Sequence, residues 1–181
     1  MLRSHLRPLT LLLCFLFSVA VSIGVLPLPT AIIVNTPIVL AQTSTQQQGR
    51  QLYETGQFAK AITVWEQASQ ALAAQGDRLN QASVLSNLAL AYQQLNDWER
   101  AETTITQSLD LLQTIDPGTS PQVAALFAQV WNTQGNLALL RSQPAQALAA
   151  FETATDYYKH SGYIQGEYHS RLNQVRSLQA L

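Results

Sequence analysis

Beyond residue 41 the chain carries two histidines, His160 and His169, the residues best suited to hold a metal or pass a proton. His160 follows Tyr157-Tyr158-Lys159 at a helix end, where a cation complements the helix dipole, so its placement reads as structural. His169 lies beside Glu167, but a metal site wants a third ligand one helical turn away. Leu172 and Asn173 stand there, and both are poor ligands. Asp97, Glu99 and Glu102 surround a helix start with Arg100, where carboxylates complement the dipole; a glycosidase-type pair would need a cleft as well. Tyr157, Tyr158 and Tyr163 form an aromatic cluster read as packing. The sequence has no phosphate loop, no Gly-x-Ser-x-Gly, no His-Glu-x-x-His and no cysteine pair. Cys14 is the single cysteine, and Leu13 before it is not the small residue that a lipoprotein cysteine requires. These patterns point away from catalysis, a metal or a cofactor, and toward binding.

Apolar residues make up 47% of the 181 and charged residues 12%, with a formal net charge of -1. That balance supports a packed core. It supplies no basic stripe for a phosphate backbone, so nucleic acid is excluded as a partner class. The first forty residues differ from the rest. Arg3 and Arg7 precede an apolar tract from Leu9 to Val25, then a proline-interrupted stretch to Leu40. Val39-Leu40-Ala41 offers a small-x-small exit, so residues 1–41 are expected to be a signal peptide cleaved before Gln42. The alternative is an uncleaved anchor, because Leu9 to Leu26 is just long enough to span a bilayer. Only that alternative puts the chain on a membrane. Under either reading residues 42–181 are exported, to the periplasm or the extracellular space. A cleaved chain would contain no cysteine and would be held by packing alone.

Residues 42–48 read as a Gln-rich linker running into a first helix. From there, helical periods alternate with short punctuation. Gly56 separates 46–55 from Phe58–Gln75. Gly76-Asp77 is a stop and a start: glycine accepts the left-handed conformation after a helix, and aspartate caps the next N-terminus. Asn96-Asp97 repeats that device before Trp98–Gln113. Asp116-Pro117-Gly118 ends that helix, Ser120-Pro121 opens the next, and Ser142-Gln143-Pro144 punctuates again. Ser161-Gly162 closes Pro144–His160. No stretch alternates as a strand does. Seven helices of about 10 to 20 residues are expected, an all-α chain.

Three segments share one grammar. The first is Gly49, Leu52, Ala61, Trp65 and Ala68. The second is Leu85, Leu88, Ala89, Tyr92, Ala101, Ile105 and Ser108. The third is Trp131, Gln134, Gly135, Ala138, Ala147, Phe151 and Ala154. Small residues let paired helices approach closely, and the bulky residue one turn after each second-helix alanine fills the space between repeats. This pattern resembles the tetratricopeptide repeat, which implies a solenoid of helical hairpins. Repeats fall at about 45–75, 78–114 and 121–160, followed by a last helix at 162–181. Successive alanines lie 40 residues apart (Ala61 to Ala101) and then 46 (Ala101 to Ala147), against a usual period of about 34. The excess is expected to lengthen helices and enlarge the Asp116–Pro121 loop. Repeat one departs from the pattern at Thr45 and Gln48, repeat three at Ala138. In the last helix Tyr168, Leu172, Val175 and Leu178 recur at helical spacing opposite a polar side. It is either a cap with one wet face or the first half of a further repeat.

The resemblance implies that the first helix of each hairpin lines a groove for a protein or peptide. It places Arg50 and Tyr53 there in repeat one, Asn87, Leu90 and Gln94 in repeat two, and Asn132, Asn136 and Leu139 in repeat three. One subclass grips a partner's terminal carboxylate with basic residues. Here Asn87 matches and Arg50 supplies one charge, but Gln129 and Thr133 stand where basic residues are needed. The groove reads instead as amide-rich with apolar surface, suited to an extended segment or a helix. The expected function is a non-catalytic interaction scaffold. The leader, the Gln-rich start and the long repeats also resemble the N-terminal region of exported cyanobacterial proteins that carry such repeats ahead of a caspase-like (CHAT) protease domain. That resemblance implies a regulatory or remnant module whose protease His and Cys are not in this sequence. Self-association through exposed repeat ends is a further expectation.

Overall fold

In the computed structural model the described residues are 36–181, with side chains described from Thr45 onward. The leader or anchor reading of the first 35 residues, and Cys14, lie outside the described residues. Seven α-helices occur among the described residues: α1 Thr36–Glu54, α2 Phe58–Gln75, α3 Arg78–Gln94, α4 Trp98–Leu112, α5 Pro121–Leu140, α6 Pro144–Ser161 and α7 Ile164–Gln179. A short 3-10 turn, Pro117–Thr119, sits in the enlarged loop before α5. The helix ends fall where the punctuation placed them, except at α1. The segment read as a linker is helical, because no glycine or proline interrupts it between Pro37 and Gly49 and its Gln and Ala residues tolerate a helix.

The caps are local chemistry. Asp77 accepts from the Asn80 amide at 3.2 Å, Asp97 from the Arg100 amide at 3.2 Å and Ser120 from the Val123 amide at 3.2 Å. Gly76 and Gly162 end α2 and α6 with φ of 70° and 71°, a left-handed turn that glycine adopts without a Cβ penalty. Inside the hairpins the same left-handed turn falls on Gly56, Asn96 and Ser142. Asn96 carries it at moderate cost, whereas Ser142 is a residue type that rarely adopts it.

Each helix packs on its sequence neighbour. In addition α1 touches α3, α3 touches α5 and α5 touches α7, whereas α2, α4 and α6 make no contact with one another. First helices in contact and second helices apart give a curved stack with α1, α3, α5 and α7 on the inner side. The described chain is therefore an all-α tetratricopeptide-type solenoid: three helical hairpins and a final helix. Its core follows the repeat grammar. Ala61, Ala101 and Ala147 are fully buried at the hairpin crossings, and Trp65, Ile105 and Phe151 are buried one turn later. A Cβ on Gly135 would sit 2.6 Å from Phe151 Cε1, and one on Gly49 would overlap the Trp65 indole, so these two glycines permit the close helix approach. Repeat one keeps its packing through Trp65 and Leu52 although Gln48 is exposed.

The final helix reverses the expectation of a cap. Its polar side faces inward: Ser170 and Ser177 are fully buried, and Gly166 lies under Tyr158. Its apolar side, with Tyr168, Leu172, Val175 and Leu178, is exposed. The inward face is held by hydrogen bonds, Ser170 Oγ donating to the Phe151 carbonyl at 2.9 Å and Gln174 Nε2 donating to Thr155 Oγ1 at 2.7 Å.

Candidate functional site

The inner wall is built by the first helices, and polar bonds cross from one to the next. Ser86 Oγ donates to Thr133 Oγ1 at 3.2 Å, and Gln129 Nε2 donates to Asn87 Oδ1 at 3.4 Å. Both link α3 to α5. Between α1 and α3, burial pushes the Tyr53 hydroxyl above its ordinary pKa, partly offset by the Gln94 side chain. The amides that the sequence places on the groove thus stitch neighbouring hairpins together as well as facing outward.

Of the eight residues expected to line the groove, Arg50 and Gln94 are exposed, and Asn87, Leu90, Asn132 and Asn136 are half-buried. Two turn inward. Tyr53 stacks on Phe58 at 5.2 Å and on Trp65 at 5.9 Å between centroids, filling the core that Thr45 and Gln48 leave thin. Leu139 packs against Ala138, Ala147 and Phe151, because Ala138 is too small to fill the space that a tyrosine takes in repeat two. Asn132 Oδ1 is buried without a hydrogen-bond partner, a state that costs about 1–3 kcal/mol for an acceptor.

An apolar depression lies nearer the N-terminal ends of α3 and α5. It measures about 500 Å³ and is lined by Leu79 and Ser83 from α3, Val123, Leu126 and Gln129 from α5, and Tyr158 and Tyr163 at the α6–α7 turn. The two tyrosine rings lie 5.7 Å apart. Burial, reinforced by the neighbouring Tyr163, pushes Tyr158 up to about 12. Gln129 was named in the sequence as a groove position without a basic residue, whereas Leu126, about one turn before it on α5, was not singled out. Tyr158 and Tyr163 were seen as a cluster, but their position beside α3 depends on the curvature of the stack.

Several charged groups elsewhere pair with neighbouring side chains. Arg100 caps the Asp97 carboxylate and lies 4.5 Å over the Tyr92 ring, and Tyr92 Oη donates to Glu66 at 2.6 Å. Burial first, then that bond to Glu66, raises Tyr92 to about 12. Glu102 and Arg141 pair across hairpins two and three. His160 Nδ1 donates to the Asp156 carbonyl at 2.6 Å, and His169 lies edge-on to Tyr168. Among the described residues no three His, Cys, Asp or Glu side chains gather as a metal site would need, and no helix is long and apolar enough to cross a membrane.

Fold and wall together define a helical-hairpin repeat protein with an amide-lined inner surface and one apolar depression. Residues 40–114 match the tetratricopeptide repeat family. That match spans hairpins one and two, and the third hairpin repeats their geometry. Repeats of this type generally mediate protein–protein interaction and are typically non-catalytic. No curated protein matches the sequence. The crystal structure of BtubC (BKLC) from P. vanneervenii is similar, with a TM-score of 0.51 and 23% sequence identity, over 78% of this chain and 65% of that chain. The likeness is one of fold, and this chain spans just under two thirds of that protein's length.

Proposed function

We propose that the protein is a non-catalytic scaffold, exported from the cytoplasm, that holds a segment of another protein along its inner wall. The observation that carries this reading is the depression between α3, α5 and the Tyr158–Tyr163 pair, flanked along the same stripe by Asn87, Asn132 and Asn136. An apolar side chain of the partner anchors in the depression. The amides receive polar groups of its backbone, a division of labour common to peptide grooves. Of the eight groove residues named above only Arg50 is a cation, so the partner is not held mainly by its terminal carboxylate. Export rests on the Arg3/Arg7 start, the Leu9–Val25 tract and the Val39-Leu40-Ala41 exit.

The test is a cross-linking capture from the exported fraction. It compares wild type with Leu126→Asp and with the triple variant Asn87→Ala/Asn132→Ala/Asn136→Ala. Loss of the same bound proteins in both variants is expected, and identical profiles would remove the groove reading. Mass spectrometry of the mature chain tests export separately, with an N-terminus at Gln42 expected for cleavage. A second reading is a repeat module of a larger CHAT-type exported protease, in which a further helix would cover the apolar outer face of α7. A protease domain encoded with these repeats would select it.

A further inference from the structure

The outer face of α7 is apolar in a register that the rest of the molecule explains. Aligning α3 and α7 on the left-handed glycines before them, Gly76 and Gly162, pairs Ala82 with Tyr168, Ala89 with Val175 and Tyr92 with Leu178. In α3 those residues are covered by the second helix of the hairpin: all three are buried, and Ser108 of α4 donates to the Ala82 carbonyl at 2.7 Å. In α7 the corresponding residues are uncovered, with Tyr168 70% exposed and Leu178 57%. With Ile164 and Leu172 they expose roughly 600 Å² of apolar surface, at the upper limit of what a soluble monomer leaves open.

We infer that this face pairs with the same face of a second copy, α7 against α7, as an isologous dimer. Three observations select that occupant. Two such faces together bury on the order of 1,200 Å², the lower bound of a stable specific interface. The stripe is also self-complementary. In an antiparallel pair with its two-fold axis beside Leu172, the large Tyr168 of each copy meets the small Val175 of the other, and the two Leu172 side chains meet near the axis. The opposite end of the solenoid, finally, does not match. Among the described side chains of α1, Gln47, Gln48, Arg50, Gln51 and Glu54 are exposed and polar, so head-to-tail stacking on that part of α1 would set apolar α7 against amides and charges. At the border of the stripe Glu167 and Arg171 neutralise each other at 2.8 Å, which lowers the cost of bringing two copies together.

Sedimentation velocity of the full chain over a micromolar concentration series tests this, with wild type beside Val175→Asp/Leu178→Asp. Wild type is expected at twice the chain mass at high concentration and the variant at the single mass, with equal helicity by circular dichroism. A wild type that stays monomeric overturns the dimer, and so does a variant that still associates. Cross-linking guards against a variant that fails to fold. Leu172→Cys in a Cys14→Ser background is expected to form a disulfide-linked dimer under mild oxidation, whereas Asn136→Cys, on the inner wall, is not. Equal cross-linking of the two would also reject the assignment. Partner capture by the inner wall is unchanged in the Asp variant if the two surfaces act independently.

Discussion

Helices α3 and α7 occupy equivalent places, one opening the second hairpin and the other following the third, yet they are built from opposite materials. Toward the preceding hairpin α3 presents Val84, Leu88 and Ala91, all buried and apolar, where α7 presents Ser170, Gln174 and Ser177. The seam of α3 is held by burial. The seam of α7 is held by directed hydrogen bonds to the Phe151 carbonyl and Thr155. Their other faces are reversed as well: α3 has small residues under α4, and α7 has large apolar residues in the open. One backbone repeat can thus be specified by packing or by polar bonds, and the choice decides where the sticky surface lies.

Matched substitutions sharpen this contrast. Leu88→Ala should lose about 2–5 kcal/mol of stability in urea denaturation, since a core leucine leaves a cavity. Its α7 counterpart Gln174→Ala should lose only about 0.5–1.5 kcal/mol, the net worth of a hydrogen bond. Equal losses would mean that the two seams do not differ in kind. Next in size is Gly135→Ala, which drives a Cβ against Phe151 and should cost about 1–3 kcal/mol by overpacking; an unchanged melting temperature would show that the α5–α6 crossing is looser than its geometry.

A further contrast is in alkaline stability, and it involves one tyrosine in each region. Tyr92 under α4 and Tyr158 over Gly166 of α7 are both pushed up to about 12, against about 10 in an unfolded chain. The neutral form is favoured by folding, so this contribution is fully present below pH 10. It is lost as pH rises from about 10 through 12, where the unfolded chain has released protons that the folded chain still holds. Thermal melts between pH 9 and 12 should fall across that window. Tyr158→Phe should flatten the fall, and an equally steep fall in that variant would remove Tyr158 as a contributor.

The sequence by itself determined the seven helices, their pairing and their ends, apart from the start of α1. Those features depend on contacts between near neighbours: an Asp that caps its own helix, a glycine that turns it, an alanine one turn before Trp65, Ile105 or Phe151. The resemblance to the tetratricopeptide repeat also implied a groove position for Asn87, Asn132 and Asn136. Only the tertiary structure decided that Tyr53 and Leu139 turn into the core, since each fills a gap left by an undersized residue elsewhere in its repeat. Only it brought Tyr158 and Tyr163 beside Leu79 and Leu126 to form the depression, because that meeting depends on how far successive hairpins rotate. The orientation of α7 belongs to the same class. Its apolar stripe was visible in the sequence, but whether that stripe faces in or out rests on hydrogen bonds to Phe151 and Thr155, which no periodicity encodes.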